Sequence, residues 1–303
     1  RLRWQRTQTG AWALAIGQVA LPPATPNGAI AVALERLDLD AWDALLDEMG
    51  QAQQAVWPSL TLSVDQLTAM QREWHQVRFT GRAHATQWNF QVRAAEVIGS
   101  GTVTQRGDRI DRFEAEFDSL WVAPQQKRSQ NDSRASSGNA THDSNRIAAL
   151  DPSRWPTARV TVADLRVADA PLGRFALVAA QDGATWRVQD ALLVQPGRYR
   201  LRGRGSWESH ATGGGRSTRS TWHIEAQIGD FGATLATLWQ LPGIEKGQGT
   251  IDATLSWPGS PLDFTWRTLE GTGSIALEKG VFSEIEPGVG KLLTVFSLPM
   301  LFR

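Results

Sequence analysis

Apolar and polar residues alternate with period two along most of the chain, which predicts β-strands. The alternation is clearest in five segments, most of them bounded by Gly, Asp, Asn or Pro: residues 60–64, 160–162, 198–204, 250–255 and 274–277. Alternation gives each strand one apolar and one polar face, as expected of antiparallel sheets. We therefore expect a mainly β fold built on antiparallel strands.

Apolar residues spaced three or four apart predict two or three short helices. Residues 41–49 form the first, with Asp40 as its N-terminal cap, and Asp230 caps the second, which Pro242 stops. A third is expected to begin after Gly288. We expect the apolar stripes of the first two helices to be packing surfaces.

The chain contains an internal repeat. Residues 57–67 (WPSLTLSVDQL) align without gaps with residues 155–165 (WPTARVTVADL), at an offset of 98. The same offset pairs two further positions, Trp88 with Trp186 and Gly107 with Gly205. Strand-rich repeats stack end to end, so the repeat predicts an elongated body.

A polar segment separates the two copies. Residues 124–153 are dense in Ser, Asn, Asp and Gln, a composition that does not repay the entropy of ordering. We predict a mobile loop there, a first β-repeat unit over 1–123 and a second over 154–303. The shorter polar stretch 210–220 is predicted to be a hairpin loop.

Composition narrows the possible partners. The chain has 31 basic and 31 acidic residues, so no net field would attract nucleic acid. Cysteine is absent, which excludes disulfides and thiolate chemistry, and no apolar run reaches the 18 residues of a membrane span. The chain opens without methionine or a signal peptide, and we expect it to be a piece of a longer protein. Its 14 tryptophans are interpreted as core anchors of sheets, with stacking on bases or sugars as the alternative.

No pattern of catalytic residues emerges. The segment EPGVGKLL, residues 286–293, resembles a phosphate-binding loop, but Ile285 stands where the first glycine belongs and Leu292 where a hydroxyl should bind magnesium. The five histidines form no metal-binding motif. We therefore expect no enzymatic activity, no metal, no cofactor and no nucleotide binding.

The C-terminal third carries a family resemblance. Five short motifs follow one another in order: WPG at 257–259, LEG at 269–271, GVF at 280–282, EPGVGKLL at 286–293 and FSL at 296–298. Together they resemble the C-terminal region of the YhdP branch of the AsmA-like superfamily, large envelope proteins of Gram-negative bacteria. The most specific residues, which we interpret as a structural corner leading into a helix, are Glu286, Pro287, Gly288, Gly290, Leu292 and Leu293.

The resemblance implies a fold and a function. Such proteins have a long, curved antiparallel sheet, folded like a taco shell around an apolar groove, and are implicated in moving phospholipid between the inner and outer membranes. It implies a periplasmic location, an inner-membrane anchor in an N-terminal segment absent from this chain, and phospholipid acyl chains as ligands. The alternative is an envelope scaffold or assembly factor that grips outer-membrane proteins. The family continues beyond the position of Arg303, in keeping with a fragment.

The alternating strands supply candidate groove residues. On each strand the apolar positions share one face, and seven are expected to line the groove: Val160, Val162, Ile251, Ala253, Leu255, Ile275 and Leu277. The alternative is that a second layer of structure covers them as an ordinary core.

Overall fold

The computed structural model of the chain is mainly β, as predicted. It describes residues 1–41, 57–70, 72–107, 109–122, 151–212, 215–234, 244–245, 247–261, 263–265, 267–278 and 281–282. The described residues fall into two compact units, of which 1–122 with 159–169 form the first and 151–158 with 170–282 the second. Residues 123–150 lie outside the description, so the predicted unit limits and the predicted loop over 124–153 stay predictions.

The first unit holds nine strands, the last of which begins two residues before the unit's second segment. They lie in chain order in the sheet: β1 (Leu2–Arg6), β2 (Trp12–Gly17), β3 (Ala29–Asp38), β4 (Ser59–Ala69), β5 (Arg72–His84), β6 (Gln87–Arg93), β7 (Val97–Arg106), β8 (Arg109–Val122) and β9 (Thr157–Val167).

The second unit holds eight strands among its described residues: β10 (Ala170–Asp182), β11 (Thr185–Gln195), β12 (Tyr199–Thr212), β13 (Gly215–Ile228), β14 (Ile244–Glu245), β15 (Gln248–Pro258), β16 (Glu270–Glu278) and β17 (Val281–Phe282). Six of them lie side by side in the order β10, β11, β12, β13, β15, β16, and β14 pairs separately with β17. Every pairing among these eight strands is antiparallel.

The sheet departs from the antiparallel prediction at its start. Strands β2 and β3 pair in parallel, and so do β3 and β4. A parallel neighbour requires a connection long enough to return the chain to the same end of the sheet. Residues 18–28 and 39–58 supply these two connections, and period-two alternation alone does not distinguish them from hairpins.

The structure confirms one helix cap and corrects the other. The Asp230 carboxylate accepts a hydrogen bond from the backbone N–H of Ala233 (2.9 Å) at the start of a helix whose described part is 231–234. The first helix begins at Leu39, and its cap is Asp38, which accepts from the N–H of Ala41 (3.0 Å). The Asp40 carboxylate accepts instead from the N–H of Met70 (2.8 Å). Asp40 was the wrong candidate because β3 runs directly into the helix, which moves the cap two residues earlier. The other residues of both predicted helices, and the predicted third helix, lie outside the described residues.

The internal repeat has a structural counterpart over two strands. Strands β9 and β10 begin and end 98 residues after β4 and β5 at every boundary. Their turns also correspond, since positive φ angles occur at Met70 and at Ala168, and again at Ala85 and Gly183. The equivalence of Gly107 and Gly205 is wrong, because Gly107 lies in a turn whereas Gly205 lies within β12.

The tryptophans of the repeat make matching contacts. The indole N–H of Trp88 donates to the Pro58 carbonyl (3.0 Å), and that of Trp186 donates to the Pro156 carbonyl (2.9 Å). Each ring also meets a second tryptophan edge-on, Trp57 in the first copy and Trp155 in the second. Tryptophan therefore anchors the sheet in both copies, as the composition predicted.

All five predicted strand segments lie in strands, except that Arg198 belongs to the turn before β12. The predicted loop over 210–220 is wrong. Strands β12 and β13 continue through it and pair as far as Thr212 with Gly215. Gly, Ser and Arg at these positions indicated a loop, but the described residues here pair as the end of a long hairpin, and Ser220 is buried.

Candidate functional site

The second unit presents a face that carries no charge in its central part. Strand register places its residues in three rows across the strands. We call the following fifteen residues the apolar face: Val188, Gly205, Trp222, Leu255 and Gly271; Ala191, Gly203, Ile224, Ala253 and Gly273; Leu193, Leu201, Ala226, Ile251 and Ile275. Each row follows from the alternation of its strands, because residues two apart on a strand lie on the same side.

The opposite face of the same strands is charged. Arg202 pairs with Asp190 (2.6 Å), and Arg219 pairs with Glu270 (3.0 Å). Glu225 accepts from Arg204 (3.1 Å) on the neighbouring strand. These pairs are solvent-exposed, and such pairs contribute little to stability. They identify this side of the sheet as the one that faces water.

Aromatic side chains border the apolar face at one end of its strands. Trp155 packs edge-on against Trp186 and Trp207, with ring centroids 5.0 and 5.3 Å apart. Trp257 stacks against Trp222 with centroids 6.4 Å apart. Within the first row these rings bury Val188, whereas Leu255 remains half-buried and Gly271 exposed.

At the other end of the strands a second cluster forms. Phe231, from the start of the second helix, packs with Tyr199, Ala226 and Ile228. The Tyr199 hydroxyl donates to the Leu172 carbonyl (3.0 Å). Burial raises the pKa of Tyr199 above its ordinary value, against a smaller lowering by the Arg198 charge. This end is therefore a packed apolar region.

Between the two clusters the apolar face is open. Leu201, Ile224 and Ala253 are half-buried, and Ile275 is 45% exposed. Proteins bury most large aliphatic side chains, so a run of partly exposed ones on one face marks a candidate interaction surface.

The structure brings together four of the seven predicted groove residues. Ile251 lies opposite Ala226 and Ile275, and Leu255 lies opposite Trp222. Ala253, between them on β15, completes the set. Leu277 pairs with Gly249, but its side chain lies outside the description.

The remaining predicted residues are placed differently. Val160 and Val162 lie on β9, in the first unit, where Val162 is buried and Val160 half-buried. The predicted structural corner at 286–293 lies outside the described residues.

Sequence reasoning missed most of the face. Leu193, Leu201, Trp222 and Ile224 were not singled out, although the last three lie in alternating stretches. Gly203 and Gly205 carry no hydrophobic signal at all. Their role becomes visible only from their neighbours, because the Trp222 ring lies against both glycines.

A concavity of about 470 Å³ lies elsewhere on the second unit. Several of the residues that line it lie on the charged side of the sheet, among them Arg200, Gln227, Thr250 and Glu278. The apolar face carries no charged residue, so we place the candidate site there.

The described part of the chain holds neither a candidate metal site nor a helix that could span a membrane. No group of three or more His, Asp or Glu residues there is arranged to hold a metal ion. None of the described helices combines the length and apolar character that crossing a membrane requires.

The strands and the open apolar face define a class of protein: a β-sheet protein with a partly exposed apolar face. A family model described as YhdP protein matches residues 1–303, and the chain belongs to the YhdP family. The resemblance drawn from the C-terminal motifs is thereby confirmed, and it places the chain among envelope proteins. No curated protein and no solved structure matches the chain.

Proposed function

We propose that the apolar face of the second unit binds the acyl chains of phospholipids, and that the chain is part of a periplasmic protein that moves phospholipid between the inner and outer membranes. The observation that carries the proposal is the uncharged face itself. Twelve of its fifteen residues are half-buried or exposed, on a sheet whose other side is charged.

The dimensions suit a hydrocarbon ligand. Five neighbouring strands at about 4.8 Å spacing give rows of roughly 19 Å, about the length of an extended acyl chain. In the middle row, Ala191, Gly203 and Ala253 have small side chains, so a ligand lying along it meets few obstructions. Removal of its hydrocarbon from water would supply the binding energy, at about 25 cal/mol per Å² of buried apolar surface.

The wider role rests on family membership. We propose that the full-length protein is anchored in the inner membrane by a segment that precedes this chain, and that its role is transfer rather than catalysis. Phospholipid is the proposed partner, and envelope proteins are partners only under the alternative scaffold role.

Native mass spectrometry of the purified 303-residue chain tests the proposal. We expect phospholipid to co-purify, to be lost in Ala253→Asp, and to be retained in Thr254→Asp, which places the same charge on the opposite face of the same strand. Absence of phospholipid from the wild-type chain, or equal amounts in both variants, would contradict it. A co-purifying envelope protein without lipid would favour the scaffold role instead.

A further inference from the structure

Two tryptophans beside the apolar face have buried indole N–H groups without a hydrogen-bond partner in the described part of the chain. They are Trp207, which is 1% exposed, and Trp222. Five other described tryptophans donate their N–H to backbone carbonyls, including Trp186 to Pro156 and Trp257 to Ser260. Among the described tryptophans, these two are the ones whose buried indole N–H lacks a partner.

The two donors are neighbours on the sheet. Trp207 lies opposite Ser220, and Trp222 lies opposite Gly205. The two tryptophans are therefore diagonal neighbours on one face, with their backbone positions about 7 Å apart. The Ser220 hydroxyl donates to the Gly259 carbonyl. Trp155 and Val188, which belong to the same cluster as Trp207, are apolar and offer no acceptor.

A buried donor that lacks an acceptor costs about 1–3 kcal/mol. An incoming oxygen atom would remove this cost at either indole, and an acceptor that spans the pair would remove it at both. Both indole nitrogens are buried, so an incoming oxygen reaches them only when neighbouring rings shift. Trp222 is half-buried as a whole and belongs to the first row of the apolar face, so a ligand on that face would supply the oxygen.

The surroundings decide what kind of oxygen it is. All fifteen residues of the apolar face are uncharged, whereas the arginines of β12 lie on its other side. A phosphate brought there would lose its hydration without gaining a cation. A neutral carbonyl oxygen, which carries lone pairs and no charge, suits two neutral donors.

We infer that Trp207 and Trp222 bind the ester carbonyl oxygens of a diacyl lipid, an assignment that rests on the proposed lipid-binding function. The ester region then lies at the tryptophan end of the strands. The acyl chains extend over the rows of Ile224 and Ile251, and the phosphate remains outside the apolar face.

The test compares two phospholipids with the same headgroup and chain length, one ester-linked and one ether-linked. Ether oxygens are weaker hydrogen-bond acceptors than ester carbonyl oxygens, and the ether-linked lipid has no carbonyl group at this position. One hydrogen bond is worth about 1 kcal/mol, so the wild-type chain should bind the ester-linked lipid about fivefold more tightly. Competition between the two lipids, read by native mass spectrometry, gives this ratio directly.

Phenylalanine variants separate the N–H group from the ring. We expect Trp222→Phe and Trp207→Phe to lower the ester preference towards one, while binding of the ether-linked lipid changes less. Trp257→Phe is the matched control, because its N–H already donates to Ser260 (2.9 Å), and it should retain the preference. Circular dichroism of each variant checks the fold, and Trp222→Phe serves if Trp207→Phe does not fold.

The outcomes are distinguishable. A wild-type chain that binds both lipids equally, or a preference that survives both substitutions, overturns the inference and leaves the lipid-binding proposal standing. If Trp222→Phe lowers thermal stability without lipid as much as Trp257→Phe does, the acceptor is part of the protein and the inference is wrong. If neither lipid binds to the wild-type chain, both the inference and the proposed function fail.

Discussion

At the residue scale, the Trp222 ring packs against two glycines of β12, Gly203 and Gly205. A Cβ atom added at Gly205 would lie 2.6 Å from the Thr221 carbonyl oxygen and 2.8 Å from the Trp222 ring. At Gly203 the nearest atom would be 3.4 Å away, an ordinary contact. The two glycines lie on the same face of β12, yet only Gly205 is required by close packing.

Alanine substitutions should therefore differ at these two positions. We expect Gly205→Ala to lower the free energy of unfolding by about 1–3 kcal/mol, the usual cost of overpacking. Gly203→Ala should be neutral or slightly stabilising, since it also restricts the unfolded chain. Thermal unfolding of the two variants measures the difference, and equal destabilisation would mean that the ring does not hold β12.

A carboxylate placed on the open face tests whether the face is a covered core. Leu255 is half-buried, so the carboxylate of Leu255→Asp can reach water and the fold should survive. Val188 is 2% exposed within the tryptophan cluster, and Val188→Asp should unfold the unit because a buried charge is far more costly. Circular dichroism distinguishes the two outcomes. Unfolding of Leu255→Asp would show that a second layer covers the face.

The chain contains a single tyrosine, so its titration can be followed without overlap. Burial raises the pKa of Tyr199, and its phenolate should form at higher pH in the native protein than in denaturant, where the value is about 10. The folded state then holds the proton longer than the unfolded state, and stability should fall as pH rises above about 10. Phenolate absorbance measures both titrations. A native midpoint at or below the denatured one would mean that the hydroxyl is not buried.

At the scale of elements, the matching hairpins invite a paired comparison. Trp88→Phe and Trp186→Phe each remove one indole N–H bond to a proline carbonyl and keep a large aromatic ring. Each should lower the free energy of unfolding by about 1 kcal/mol. Trp4→Phe is the control, because Trp4 is 65% exposed and should change nothing. Denaturant unfolding gives both values. Unequal losses would show that the two hairpins share a geometry but that their tryptophan hydrogen bonds contribute differently to stability.

The sequence predicted where the strands lie better than which strands pair and in which direction. Alternation predicted the strands around Leu62, Leu201 and Ile251, because one side of each meets water. It did not predict the parallel pairings of β3, since the direction of a partner depends on the connection and leaves the strand pattern unchanged.

The site was predictable only in part, for a related reason. A bulge between Val188 and Ala191 shifts the register, so two residues three apart share a face and simple alternation fails there. The glycines of the face carry no hydrophobic signal, and the unpaired indoles of Trp207 and Trp222 depend on contacts across strands. Ile251, Ala253 and Leu255 were found because β15 is regular from end to end.

At the scale of the whole molecule, the proposed lipid-binding function depends on one uncharged and partly exposed face of the sheet, whose opposite face is charged. Membership in the YhdP family gives the setting, an envelope protein, and the face gives the proposed ligand. Transfer requires that hydrocarbon contact this face and leave the charged side free.

Photo-crosslinking at two adjacent residues of β16 tests this claim most directly. Ile275 is on the apolar face, whereas Ser274 is exposed on the charged side one residue away. A photoreactive amino acid is placed at either position in the full-length protein in cells, and adducts are identified by mass spectrometry. The account predicts phospholipid adducts at Ile275 and none at Ser274. Equal labelling of both positions, or protein adducts without lipid at Ile275, would contradict it.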